Sequence, residues 1–351
     1  MINPSLVKLN LNPRDKGLYE SFYFRGTSRD GRFGFWLKHN LLRHVKDRFV
    51  AIECALILFD KQTNQVQAVH DKEIVSDYEY QSLPFMKTHD WDSLEYTFAH
   101  GSQFSIQDEL LHGKIQAHNG KAQWNFKLKR SHESLFHFSP VSLYSLPWPK
   151  KKILTREIHL EFSGEITING QIVKADFVGM NGHNWGTEHA HQYAYANCNV
   201  WDKGEIAYFD GFSAKVNVTG KVATPYLSMA SFKLDDDWYH FNRLQDAWRG
   251  SVSKLSDYAW ALKLANQTHI LQIDIDGASP SKLPWVALNY QHPNRAVSVV
   301  KNTKFARGMV RLIDKRTNHA IKELTSDYFE LETLMNSNQT DPKEGFISQW
   351  V

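Results

Sequence analysis

The 351-residue chain holds only two cysteines, Cys54 and Cys198, each inside an alternating, strand-like run. That excludes a disulfide framework, and two isolated thiols fit a reducing compartment. The opening residues, MINPSLVKLNLNPRDKG, contain no apolar run of the kind a signal peptide carries. No segment combines the length and apolarity of a membrane-crossing helix. The expected location is cytoplasmic, so the Asn-x-Thr triplets at Asn217, Asn266 and Asn338 are chance matches. Charge of one sign is also scarce, with a formal balance of +3. PWPKKKIL (147–154) is the one basic cluster, which argues against nucleic acid as a partner. Several motifs are missing as well. G-x-S-x-G and HExxH do not occur, and the glycines of GTSRDGRFG (26–34) open no helix that would cradle a phosphate. Long amphipathic helices are few; residues 5–11 and 38–48 read as short ones.

What is present is aromatic and alternating. Phe, Tyr and Trp make up 13% of the chain, a load that suits strands and large cores. The dominant period is two, broken by turn residues. AIECALILFDKQTNQVQAV (51–69) reads as strand, turn, strand. FSIQDELLHGKIQAHNGKAQWNFKLK (104–129) reads as a meander turning at His112-Gly113 and Asn119-Gly120. Asn169-Gly170 turns the segment 156–179, and 258–277 and 309–334 are further hairpins. LFDKQTN (58–64) and LIDKRTN (312–318) share turn chemistry. The chain is all-β. SLPWPKKKIL has the composition of a linker, and each flanking half has the length for a barrel of about eight strands. The expectation is therefore one barrel over residues 1–148 and a second over 149–351.

One segment concentrates chemistry: GHNWGTEHAHQYAYANCNVW (182–201). His183, His189 and His191 are ligand-type side chains, yet neither a cupin-like glutamate nor a zinc-protease pattern completes them, so no metal is expected. From 189 onward the odd positions are His189, His191, Tyr193, Tyr195, Asn197, Asn199 and Trp201. The even ones are Ala190, Gln192, Ala194, Ala196, Cys198 and Val200. Side chains alternate across a strand, so one face is bulky and polar-aromatic while the other is small. The small face fits close packing. The large face fits the lining of a cavity, since Lys, Glu and Thr are absent from it. His183 and Trp185 share its parity.

The stretch GMNGHNWG followed by YAYANCNVWDKGEIAYFDGFS resembles the signature of the hydroxyneurosporene synthase/AttH group. YESFYFRGTSRDGRFGFWLKHNLL (19–42) is similar to that group's opening hairpin, and SLPWPKKKIL to its inter-barrel linker. The resemblance implies two lipocalin-like antiparallel barrels, with tocopherol cyclases as more distant relatives and the motif hairpin near the start of the second barrel. It implies a hydratase or cyclase that works by acid catalysis on an apolar, isoprenoid- or lipid-like molecule in a barrel cavity. Gly182 and Asn184 stand where such hydratases carry acidic residues, which leaves Glu188, Asp176 and Glu20 as nearby replacements. On that reading His183 and Glu188 are the catalytic candidates. Trp185, His189, His191, Tyr193, Tyr195 and Trp201 line the substrate pocket, where aromatic faces stabilise cations.

Two other classes stay open from sequence: a non-catalytic carrier of a lipid or pigment, and a structural protein whose motif closes a barrel. The expected partner is an apolar small molecule. No cofactor is called for, transient contact with a membrane surface stays open, and the number of subunits is not readable.

Overall fold

The computed structural model describes residues 17–76, 78–79, 94–146, 149–219, 222–335 and 346–347. The short helix expected at 5–11 lies outside them.

Eleven strands build the first sheet: β1 (Leu18–Ser28), β2 (Phe33–Arg43), β3 (Phe49–Asp60), β4 (Gln65–Ser76), β5 (Glu95–Thr97), β6 (Gln103–Gln107), β7 (Leu110–Ala117), β8 (Gly120–Arg130), β9 (Leu135–Phe136), β10 (Lys151–Ile168) and β11 (Gln171–Gly186). Their order is β4-β3-β2-β1-β11-β10-β8-β7-β6-β5, with β9 beside β10. The second sheet begins with β12 (Gln192–Cys198) and β13 (Ala207–Lys215); a separate small ribbon, β14 (Asn217–Thr219) and β15 (Val222–Ala223), follows. It continues with β16 (Leu227–Leu234), β17 (Asp237–Phe241), β18 (Ser251–Ser256), β19 (Ala259–Ala265), β20 (His269–Asp276), β21 (Val286–Gln291), β22 (Val297–Asp314), β23 (Ala320–Leu334) and β24 (Phe346–Ile347). Its order is β17-β16-β13-β12-β23-β22-β20-β19-β18. Among the described strands pairing is antiparallel except for the short β21–β24 contact. The two curled antiparallel sheets make the all-β, double-lipocalin-like architecture that the alternation suggests.

Three local readings are corrected. Residues 38–48 do not start a helix: β2 runs through Arg43, because its even and odd positions both meet apolar layers. The meander turns at Asp108, which takes φ 49°, and not at His112-Gly113. Gly113 sits inside β7, where a Cβ would lie 2.3 Å from the Gln103 carbonyl oxygen. The change of sheet does not fall at 148. β10 and β11 pair with β8 and β1, so the first sheet closes at Gly186 and the GHNWG motif belongs to it.

Neither sheet interior is hollow. Phe35, Phe126, Phe162 and Phe177 fill the first, with ring centroids 5.1–5.9 Å apart. Trp201, Phe209, Phe232, Trp260 and Phe329 fill the second. A third apolar layer lies between the sheets, where β1, β2, β3 and β11 turn their outer faces towards β12, β21 and β22. Burial on both faces explains why AIECALILF has no polar alternation.

Candidate functional site

The cavity of about 160 Å³ opens in this middle layer, between the two sheets. On the first-sheet side β1 presents Tyr19, Ser21, Tyr23 and Arg25, and β2 presents Trp36, Lys38 and Asn40. Strand alternation sends the intervening Phe22 and Phe24 into the first core. On the second-sheet side β12 contributes Tyr193 and Tyr195, while Ala194, Ala196 and Cys198 pack in the second core. The two-faced strand read from parity is therefore real, and its bulky face looks between the sheets.

Two motif glycines permit this geometry. A Cβ on Gly179 would lie 1.8 Å from the Arg25 carbonyl oxygen, so only glycine lets β11 close on β1 there. A Cβ on Gly182 would strike the Tyr23 ring at 2.2 Å, so its absence makes room for a phenol of the cavity wall.

A buried network underlies the wall. Arg25 bridges the sheets, its Nη1 2.5 Å from Glu330 Oε2, and it also donates to the Tyr195 hydroxyl. Glu330 Oε1 takes Lys304 Nζ and Asn302 Nδ2, each at 2.8 Å. Burial alone would raise the Glu330 carboxyl, but Arg25 and Lys304 outweigh it and hold it below the usual carboxylate range. Asp210 Oδ2 accepts from Tyr208 at 2.6 Å, Thr155 at 2.8 Å and Tyr195 at 3.2 Å. The Tyr193 hydroxyl donates to Glu332 Oε1 at 2.5 Å, and Asn302 donates to Glu332 Oε2 at 3.2 Å. Burial pushes the Tyr19, Tyr193, Tyr195 and Tyr290 phenols well above their usual range, so all four stay protonated. On the same face of the second sheet Phe212 of β13 lies beside Tyr195, and Leu227 and Met229 of β16 follow; Phe138 and Leu143 also line the cavity. The lining thus runs from hydroxyl and carboxyl groups at β12 and β23 to apolar side chains at β13 and β16.

The residues singled out from sequence separate. Tyr193 and Tyr195 are buried and line the cavity. His189 also lines it, stacked on Tyr19 with centroids 3.8 Å apart. Burial, reinforced by Lys151, His292 and Lys38, holds its imidazole well below the usual range. Glu188 stands at the rim, 2.7 Å from Lys150 Nζ. His191 is exposed, because β12 starts only at Gln192 and the preceding residues are irregular. Trp201 belongs to the second core, its Nε1 donating to the Ala207 carbonyl at 2.8 Å, and does not line the cavity.

His183 and Trp185 are buried and stacked on one another, 4.5 Å between centroids, with Phe22 on the other face of the imidazole at 4.0 Å. Neither lines the cavity itself; Phe22 and His183 are register partners on β1 and β11. His183 Nε2 lies 2.6 Å from Glu20 Oε1. Burial raises Glu20 well above the carboxylate range; burial, then Arg156, holds His183 far below the histidine range. The two groups form a buried hydrogen-bonded pair, and its Glu20 member also borders the cavity.

Sequence reasoning missed Arg25, Lys38, Lys151, Tyr290, Glu330 and Glu332. The available signal was a charge lodged within an aromatic strand, as in YESFYFRG or YFELETL. Among the described residues no group of three or more His, Cys, Asp or Glu side chains is placed to hold a metal ion. No helix among them is long and apolar enough to cross a membrane.

Two filled, curled sheets with a cavity between them define a double-lipocalin type of protein, and comparison with solved structures places the fold among the AttH-like ones. An AttH candidate from Nitrosomonas europaea matches with a TM-score of 0.51 and 14% identity, over 91% of this chain and 92% of that one. CghA matches with a TM-score of 0.54 and 9% identity, over 93% and 90%. Kievitone hydratase from Nectria haematococca matches with a TM-score of 0.50 and 9% identity, over 93% and 91%. Identities this low establish the fold alone. No family profile and no curated protein matches the sequence.

Proposed function

We propose that the protein is a hydratase- or cyclase-like enzyme that takes an apolar, isoprenoid- or lipid-like small molecule into the cavity between its sheets. The observation that carries this reading is the divided lining. Phe212, Leu227 and Met229 flank β12 on its β13 side, with Phe138 and Leu143 also in the lining, while the hydrogen-bonded Tyr193–Glu332 pair lies on its β23 side, as expected of a site that holds an apolar body and directs a few polar groups at it. The fold likeness to a hydratase supports the same class. The proton-transfer element is Glu332 with Tyr193: the carboxyl exchanges the proton, and the phenol, kept neutral by burial, orients it. Tyr195, pinned between Arg25 and Asp210, offers the second fixed hydroxyl. Glu188 and its partner Lys150 guard the rim.

The test begins with native mass spectrometry and solvent extraction of the purified protein, which identify the retained molecule. Turnover of that molecule is then compared for the native protein, Glu332→Gln and Tyr193→Phe. The expected result is a loss of about two to four orders of magnitude for Glu332→Gln with binding retained. Binding without turnover in the native protein would make it a carrier. Full activity in Glu332→Gln would remove the proposed acid.

A further inference from the structure

Two lysines enter the same cavity without a carboxylate to meet them. Lys38 is 3% exposed. Its Nζ donates to the Tyr290 hydroxyl at 2.6 Å and lies over the Trp36 and Tyr290 rings, 4.3 and 4.2 Å from their centroids. Lys151 lies over the Tyr193 ring at 4.5 Å. Among the described residues neither ammonium group has a carboxylate oxygen within 4.0 Å, whereas Arg25 and Lys304 share Glu330 and Lys150 holds Glu188. The nearest carboxylates act from beyond contact: Glu332 attracts both ammonium groups and Glu53 attracts that of Lys38, while their oxygens hydrogen-bond to other partners. Glu332 accepts from Tyr193 and Asn302, and Glu53 accepts from Asn40 at 3.4 Å. Aromatic faces and one phenol are weak compensation for desolvated ammonium groups, which favour an anionic partner in low-dielectric surroundings. Burial pulls Lys38 down only to about 8, so it remains charged at neutral pH.

We infer that Lys38 and Lys151, with the Tyr290 hydroxyl, form a seat for the carboxylate head of an amphipathic ligand whose apolar tail runs along Phe138, Phe212 and Met229. The inference rests on the proposed cavity function and names its substrate class, an apolar carboxylic acid. A carboxylate offers two acceptor oxygens, and charge-assisted hydrogen bonds are the strong kind. The seat also fixes direction: head beside Tyr290, chain beside Tyr193 and Glu332, tail on the apolar wall.

The experiment uses retinoic acid and retinol, which share a tail and differ in the head, and follows quenching of tryptophan fluorescence at pH 7. The native protein should bind the acid about tenfold or more tighter than the alcohol, as one charge-assisted contact accounts for. Lys38→Met and Lys151→Met should each weaken the acid about tenfold and leave the alcohol within about twofold. Lys151→Arg should keep the preference, and thermal melting of each variant identifies any that fail to fold. Equal affinity for acid and alcohol in the native protein overturns the head seat while leaving the cavity reading intact. Binding of neither probe overturns both. A lysine variant that folds but loses both ligands equally assigns that lysine to packing and refutes its place in the seat.

Discussion

Replacing Arg25 by methionine probes the element that ties the two sheets together. Both members of the Arg25–Glu330 pair are 3% exposed, and they come from β1 in the first sheet and β23 in the second. Breaking a buried pair by removing one partner typically costs about 3–5 kcal/mol, because the remaining charge is left uncompensated. Here Lys304 still reaches Glu330 at 2.8 Å, which places the cost at the lower end, about 3 kcal/mol. For units of this size that corresponds to a fall in Tm of about 6–12 °C. Calorimetry across pH supplies a second readout. The Glu330 carboxyl is depressed in the folded protein, so its contribution is present above the unfolded value of about 4.3 and is lost as pH falls through the folded one. Arg25→Met should flatten that acid-side loss. Coupling to Glu330→Gln completes the cycle: the double variant should lose less than the sum of the singles by about 1 kcal/mol or more. A cost under about 1 kcal/mol for Arg25→Met, or strict additivity, would show that the pair does not join the sheets energetically.

Two further outcomes follow from burial. His183→Ala should cost about 3–5 kcal/mol by chemical denaturation, since it removes a fully buried ring stacked between Phe22 and Trp185 and strands the Glu20 carboxyl; a stable variant that had lost only ligand turnover would instead put His183 in the chemistry. Both thiols should resist a thiol reagent at pH 8 until the protein is unfolded, because burial pushes Cys198 up to about 12 and Cys54 higher still; rapid titration of either in the folded protein contradicts this.

The hairpins were legible because their information is local. Asn169-Gly170 takes φ 47° and 87°, and the sequence says so in two letters. The echo between LFDKQTN and LIDKRTN is the same kind of signal. Asp60 Oδ1 accepts from the Gln62 and Thr63 amides, as Asp314 Oδ1 does from those of Arg316 and Thr317, and Asn64 and Asn318 both take positive φ. The boundary at 148 failed because membership of a sheet is decided by long-range pairing: nothing within residues 151–186 states that β11 will lie against β1. For the site, parity separated Tyr193 and Tyr195 from the small residues between them, yet it did not say what lay opposite. Trp201 was misassigned because the strand ends at Cys198, and with it the alternation that placed the residue. Lys38 and Glu332 looked like ordinary charges until the two sheets closed on one another.

The position of β1 carries a consequence for the way this chain is made. Among the described strands it is the first of its sheet, yet it sits in the middle, between β2 and β11. Glu20 and its partner His183 are 163 residues apart, and Tyr193 waits for Glu332 across 139 more. On the ribosome the segment YESFYFRG therefore emerges well before β11, can pair with β2 at once, and keeps its other edge open until β11 has followed. The edge of β12 that pairs with β23 stays open for almost as long. Late closure of this kind makes folding slow and leaves aromatic strand edges accessible to other nascent chains, so the yield of folded protein depends on the time between the birth of β1 and the arrival of β11.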